Sequence, residues 1–265
     1  MPLVFAAVAP HSPLLVPNIG KENTAQFAAT LNAAEKLSAA LDASEVEIII
    51  VLNAKGPAFE KTFGINVSPR FKANLELFGD LVTKWEHNGG GELCGRLREE
   101  LETEFPVILV TDAGLDYASS IALSLCSSNP QRRIIPITVG AGIDAEDALR
   151  FGKALGRTLA HEPEKIAVVA AADLSHRATK KSPLGYSAKG KKFDQKVIEA
   201  LKNSSHAELL EASTVSEAAA CEDTEVLATL LGVLFDTGVE PIALSYEAPF
   251  GVGHLVLQYD LAQRT

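Results

Sequence analysis

Nothing in the sequence is long and apolar enough to cross a membrane. The longest such runs, 48–52 and 166–172, are strand-sized and fall far short of the roughly 18 residues a spanning helix needs. Basic charge is scarce as well. Against 34 Asp and Glu there are 24 Lys and Arg, and the net charge of −10 counts against nucleic acid or an anionic membrane as the main partner. Cysteine is sparse: Cys94, Cys126 and Cys221 are odd in number and far apart, so reduced thiols in a cytoplasmic protein are expected. The opening residues lack a basic stretch and run directly into His11-Ser12-Pro13, which favours a first strand over a signal peptide. Gly-x-Ser-x-Gly is missing, which removes the serine-hydrolase elbow. Trp85 stands alone and makes no stacking platform for bases. Repeats and low-complexity linkers are also missing, so a single domain over 1–265 is expected.

What is present is a large apolar fraction, 47%, in short blocks that alternate between strand and helix patterns. Strands are expected at 3–9, 46–52, 63–67, 107–111, 133–139 and 165–172, with two more near 241–246 and 254–259. Helical spacing marks 21–41, 92–104 and 144–159, with two or three further helices between 190 and 235; a turn is expected at Asn88-Gly89-Gly90-Gly91. The pattern predicts a three-layer α/β/α sandwich around a mixed β-sheet.

In such sheets functional groups gather where strands end at their carboxyl termini. Three of these ends carry polar chemistry: His11-Ser12-Pro13, Asn53-Ala54-Lys55-Gly56-Pro57 and Asp173-Leu174-Ser175-His176-Arg177. His11 alone could be a metal ligand or a general base, but taken by itself it reads first as a capped structural histidine. Asp173 and His176 follow a seven-residue apolar strand, where a buried charge needs a reason, and an Asp beside a His suits acid/base work. After His176 the bases Arg177, Lys180, Lys181, Lys189, Lys191, Lys192 and Lys196 meet only Asp194, against the global charge trend. That run suits either steering of an anionic ligand or a solvated face. His254 shares a strand face with Val256 and Gln258 and reads as structural. His87, His161 and His206 lie in polar surroundings.

Four blocks together resemble a known family. They are 9–15, Gly56-Pro57 with Phe63-Gly64-Ile65-Asn66, Ala172 to Arg177, and Ser245-Tyr246-Glu247-Ala248-Pro249-Phe250-Gly251-Val252-Gly253. The chain resembles the LigB superfamily of class III extradiol ring-cleavage dioxygenases and their relatives. It is most similar to the branch called AmmeMemoRadiSam system protein B, related to Memo. The resemblance implies a LigB-like fold and an Fe(II) site of two histidines and a glutamate that leaves positions open for catecholate and dioxygen. It also implies a further acid/base histidine.

On that resemblance His11 matches the first ligand and His176 the acid/base histidine. The other positions depart from the pattern. Lys55 stands where the second histidine ligand is expected, Tyr117 replaces a pocket histidine, and Ala220 takes the place of the glutamate, with Cys221 or Glu222 as substitutes after a one-residue shift. A protonated lysine has no lone pair to offer a metal and repels a dication. The expectation is therefore a dioxygenase-like protein with a degenerate metal site and weak or no ring cleavage, in which Fe(II) is doubtful. Its catalytic candidates are His176, Asp173 and Lys55; its pocket candidates are His11, Tyr117, Asn53 and Glu247. The alternatives are a non-catalytic partner subunit, a module binding an aromatic or anionic small molecule, or a metalloprotein with a rearranged ligand set. A homo-oligomer, or a hetero-oligomer with a related active subunit, is the assembly such a family member implies.

Overall fold

β-branched runs set the centre of the sheet. In β2 (Ile48–Asn53), Ile48, Ile50 and Leu52 pack into one apolar layer and Ile49 and Val51 into the other, so both faces are covered. That is why the run is continuously hydrophobic instead of alternating. The computed structural model describes residues 2–127, 129 and 131–262. Within them, β1 (Leu3–Ala9) is followed by a short turn of helix, α1 (Pro17–Gly20), and then α2 (Ala28–Ala43) and β2. Next come β3 (Phe63–Asn66), β4 (Arg70–Ala73), β5 (Glu86–Gly89), α3 (Glu92–Leu101), β6 (Val107–Val110), β7 (Gly114–Leu115) and α4 (Tyr117–Cys126). The second half runs β8 (Arg133–Val139), α5 (Ala145–Leu159), β9 (Ile166–Ala171), α6 (Ala188–Lys202), α7 (His206–Ser213), α8 (Ser216–Ala219), α9 (Thr224–Val233), β10 (Ile242–Glu247) and β11 (His254–Asp260).

The sheet is mixed, in the order β10-β11-β1-β9-β2-β8-β5-β4-β7, with β3 also pairing to β8 and β6 pairing to β3. Its centre, β1-β9-β2-β8, is parallel, while β11 and β10 close one side antiparallel. α2 and α4 cover one face; α3, α5, α6, α7 and α9 cover the other. This is the expected α/β/α architecture. No helix of the described residues is long and apolar enough to cross a membrane.

Two local expectations differ from the structure, and one helix, α4, lies where none is expected. The helix expected over 21–41 is a 3-10 segment (Lys21–Phe27) before α2 begins at Ala28. Thr24 Oγ1 turns to the Leu14 carbonyl at 3.1 Å, and the first-turn Thr30 N–H donates to Glu247 Oε1 at 2.7 Å, a cap 217 residues away in sequence. The expected turn at 88–91 is half strand: Gly89 pairs with Ile134, and a Cβ there would overlap the Ser68 carbonyl, so this glycine serves close approach. Only Gly91, at φ +60, is left-handed. α4 has no amphipathic stripe because nearly all of it is buried, so periodicity does not reveal it.

α5 and α9 cross backbone to backbone. A Cβ on Gly152 would overlap the Thr229 carbonyl, and one on Gly232 the Leu149 carbonyl. Gly152→Ala therefore forces the helices apart and is expected to cost about 1–3 kcal/mol, seen as a lower midpoint in thermal or urea unfolding. An unchanged midpoint would mean that the crossing is looser than this.

Candidate functional site

Because β1, β9 and β2 are adjacent and parallel, their carboxyl ends open at one end of the sheet. β1 delivers His11, β9 delivers Asp173 and β2 delivers Lys55. The Ala172 N–H donates to the Ala9 carbonyl at 3.0 Å, which extends the ladder to the site itself. Two residues from elsewhere complete the cluster: Asp223, just before α9, and His254, the first residue of β11.

All four central groups are almost wholly buried: His11, Asp173, Asp223 and His254 are 3, 3, 2 and 1% exposed. Asp173 Oδ1 accepts the His11 backbone N–H at 3.2 Å and lies 3.0 Å from His254 Nδ1. Its Oδ2 is 3.6 Å from His11 Nδ1. On the far side of the ring, His11 Nε2 is 2.8 Å from Asp223 Oδ2, which also accepts the Asp173 N–H at 3.1 Å. An ionised carboxylate only accepts, so Nε2 of His11 and Nδ1 of His254 carry the protons.

These contacts decide the charges. Burial pulls the His11 pKa down, but the Asp173 and Asp223 carboxylates override it and hold the imidazole at about 9. Burial likewise pushes Asp173 up, yet His11 and His254 keep it well below the usual carboxylate range. The core of the site is thus an imidazolium between two carboxylates. The Cys221 thiol, which donates to the Asp173 carbonyl at 3.5 Å, is driven far up by burial and by Asp223, so it stays a thiol.

Lys55 occupies the outer side. Asn53 Oδ1 accepts the N–H groups of Lys55 and Gly56 at 3.0 and 2.7 Å, a strap that turns the chain and presents the lysine. Asn53 itself is fully buried, so its amide holds the loop. The Lys55 ammonium is bonded to Glu222. Burial works against that charge, but Glu222 and then Asp223 raise the lysine above its ordinary value, while Lys55 lowers Glu222. Tyr117 packs edge-on to His11 at 5.7 Å between ring centroids and to Phe78 at 5.1 Å. Its phenol is raised, first by burial. His176 is half-buried; its backbone N–H donates to the Ala219 carbonyl at 3.1 Å, and its charge contributes to lowering Glu222.

The structure therefore brings together His11, Asp173, Lys55, Tyr117 and Glu222, with His176 at the rim. Glu247 is turned onto α2, where Oε1 accepts the Thr30 N–H. Ala220, at φ +52, forms the left-handed end of α8 and has no donor side chain. The sequence reading missed Asp223 and took His254 as structural. Asp223 carries a faint signal, an acid directly before the apolar run of α9. His254 carries none, because its partner Asp173 lies 81 residues away.

Asp194, the lone acid of the basic segment, supports the rim from below. It is fully buried, accepting the Ser175 N–H at 2.8 Å and the Tyr246 hydroxyl at 2.6 Å. Burial raises it to about 6 against the bonds that favour its charge.

The protein's side chains fit an iron ligand set poorly. Among the described residues no three His, Cys, Asp or Glu side chains converge to hold a metal ion. His11 is committed to Asp223, and a lysine ammonium has no lone pair.

A family model described as the catalytic LigB subunit of aromatic ring-opening dioxygenase matches residues 5–256. Over 264 residues the chain is 26% identical to Protein CA_C1420 of Clostridium acetobutylicum, a match that covers 95% of this chain. It spans only 56% of that longer relative. The crystal structure of uncharacterized protein JW3007 from Escherichia coli K12 superposes with a TM-score of 0.67 at 18% identity. That likeness covers 96% of this chain and 99% of the other, and it is a likeness of fold.

Replacing Asp223 by Asn removes one of the two carboxylates on His11. The imidazole midpoint is expected to move from about 9 toward its ordinary 6.5, read from the ring resonances by NMR. The folded pKa of His11 is raised, so its contribution to stability is full below 6.5 and is lost as pH rises through about 9. The unsubstituted protein should lose melting temperature over that window, and the Asp223→Asn variant should lose less. A midpoint that stays put in the variant contradicts this account of the site.

Proposed function

From the premise that the chain belongs to the LigB family, we propose that it is a metal-independent member which binds an aromatic or anionic small molecule and has weak or no ring-opening activity. The observation that carries this reading is Lys55. At the position where the resemblance calls for a second histidine ligand, a half-buried ammonium is bonded to Glu222 and feels Asp223 and Tyr117. Lys55 supplies a positive charge on the outer side of the site, beside the buried His11 imidazolium, and Glu222, the nearest replacement for the missing glutamate, is consumed in holding it. The Asp-Leu-Ser-His-Arg block at 173–177 and the block at 245–253 support placing the chain in the AmmeMemoRadiSam system protein B branch.

The chain's own residues define what the crevice can do. Lys55 and the Tyr117 hydroxyl offer donors to a phenolic or carboxylic oxygen, and a protein cation is well suited to stabilise such an oxygen once it is shielded from water. His176, whose ring is half-exposed, is the group placed to exchange a proton with a bound molecule. His11 and Asp173 are buried behind them, and their part is to fix the field of the pocket.

Anaerobic incubation with Fe(II), removal of free metal and elemental analysis provide the test. Iron well below one atom per chain and oxygen uptake with catechol at background are expected. Stoichiometric iron with catechol cleavage would overturn the proposal in favour of a rearranged ligand set built on His11 and Asp223.

A further inference from the structure

Arg177 follows His176 directly, and its side chain is unusual. The Nε atom is buried and finds no acceptor in the protein, while the residue as a whole remains half-exposed. An unmet donor of this kind costs on the order of 1–3 kcal/mol and asks for an explanation. The backbone shows that the residue is firmly held. Its N–H donates to Ser175 Oγ at 2.9 Å, and its carbonyl accepts the Ser187 N–H at 3.1 Å, tying the crevice rim to the start of α6.

The surroundings have the same sign. Lys180, Lys181, Lys189, Lys191 and Lys192 are exposed, and among the described residues the segment's one ion pair is Lys196 with Glu211. Three of these lysines sit in the first turns of α6, which has no acid in its first turn. The positive end of a helix disfavours cations there. α5 shows the ordinary arrangement, with Glu146 and Asp147 in its first turn. In a chain of net charge −10, this clustering of unpaired cations against a helix dipole creates a local positive field beside His176. The carboxylates of the site are engaged with its own groups: Glu222 is paired with Lys55, Asp173 and Asp223 share His11, and Asp194 is buried under Ser175.

We propose that the Arg177 guanidinium is an oxyanion subsite at the rim of the crevice, so that the molecule bound there carries a carboxylate or phosphate group in addition to the part that reaches Lys55. A guanidinium presents a planar fork of donors that matches either anion, and the lysines raise the local concentration of such ligands. This rests on the small-molecule reading of the crevice and names the class of ligand.

Isothermal titration of the full chain with phenol, benzoate and phenyl phosphate tests it. At least one of the two anions is expected to bind about ten-fold more tightly than phenol, and the stronger of the two identifies the preferred oxyanion. Arg177→Gln should abolish that preference and leave phenol binding unchanged, while Arg177→Lys should keep part of it. The bonds anchoring Arg177 are backbone bonds, so both variants retain them. Equal affinities for all three probes, a preference that survives Arg177→Gln, or an equal loss of phenol binding would each overturn the subsite. Failure of every probe to bind would overturn the crevice reading with it. Iron content, measured on the same samples, reports separately on metal independence.

Discussion

A carboxylate stripped of water is costly, and Asp173 is ionised at 3% exposure. The rest of the site follows from meeting that cost. His254 supplies a donor from β11, His11 supplies both a backbone N–H and a charged ring from β1, and Asp223 balances the ring from the other side. Each partner arrives on a different element, so the sheet order and the α5–α9 crossing are requirements of the charge cluster as well as of the core. Removing one member leaves another buried charge unmatched, which is far worse than never having had the pair.

The layers were legible in the sequence because both faces of the central strands are apolar and the outer helices are amphipathic. The strand at 133–139 agrees with the structure at both ends. α4 escaped because burial on all sides erases the helical period, and the start of α2 escaped because its cap comes from Glu247 at the other end of the chain. In the site, His11, Lys55, Asp173 and His176 could be read from strand ends. Asp223 and His254 could not, since each owes its role to a partner distant in sequence, and no local pattern distinguishes a histidine that packs from one that neutralises.

Family membership and site chemistry are separate matters in this chain. The LigB family model matches residues 5–256, a span that takes in the parallel centre of the sheet and the loops after β1, β2 and β9. A metal site needs lone pairs in a fixed geometry, which is far more demanding than a fold. At position 55 the chain carries a cation, and the neighbouring Glu222 carboxylate pairs with it. The two residues support each other electrostatically, since either alone would leave an unbalanced charge.

The Lys55–Glu222 pair has a consequence for how such a pocket is maintained. A bound ion must be acquired, is in exchange with its supply, and for iron has an oxidation state that oxygen can alter. An ammonium on a side chain is made with the polypeptide. It has no loading step and no dissociation rate, and chelators cannot withdraw it. A charge of this kind is in place as soon as the chain has folded.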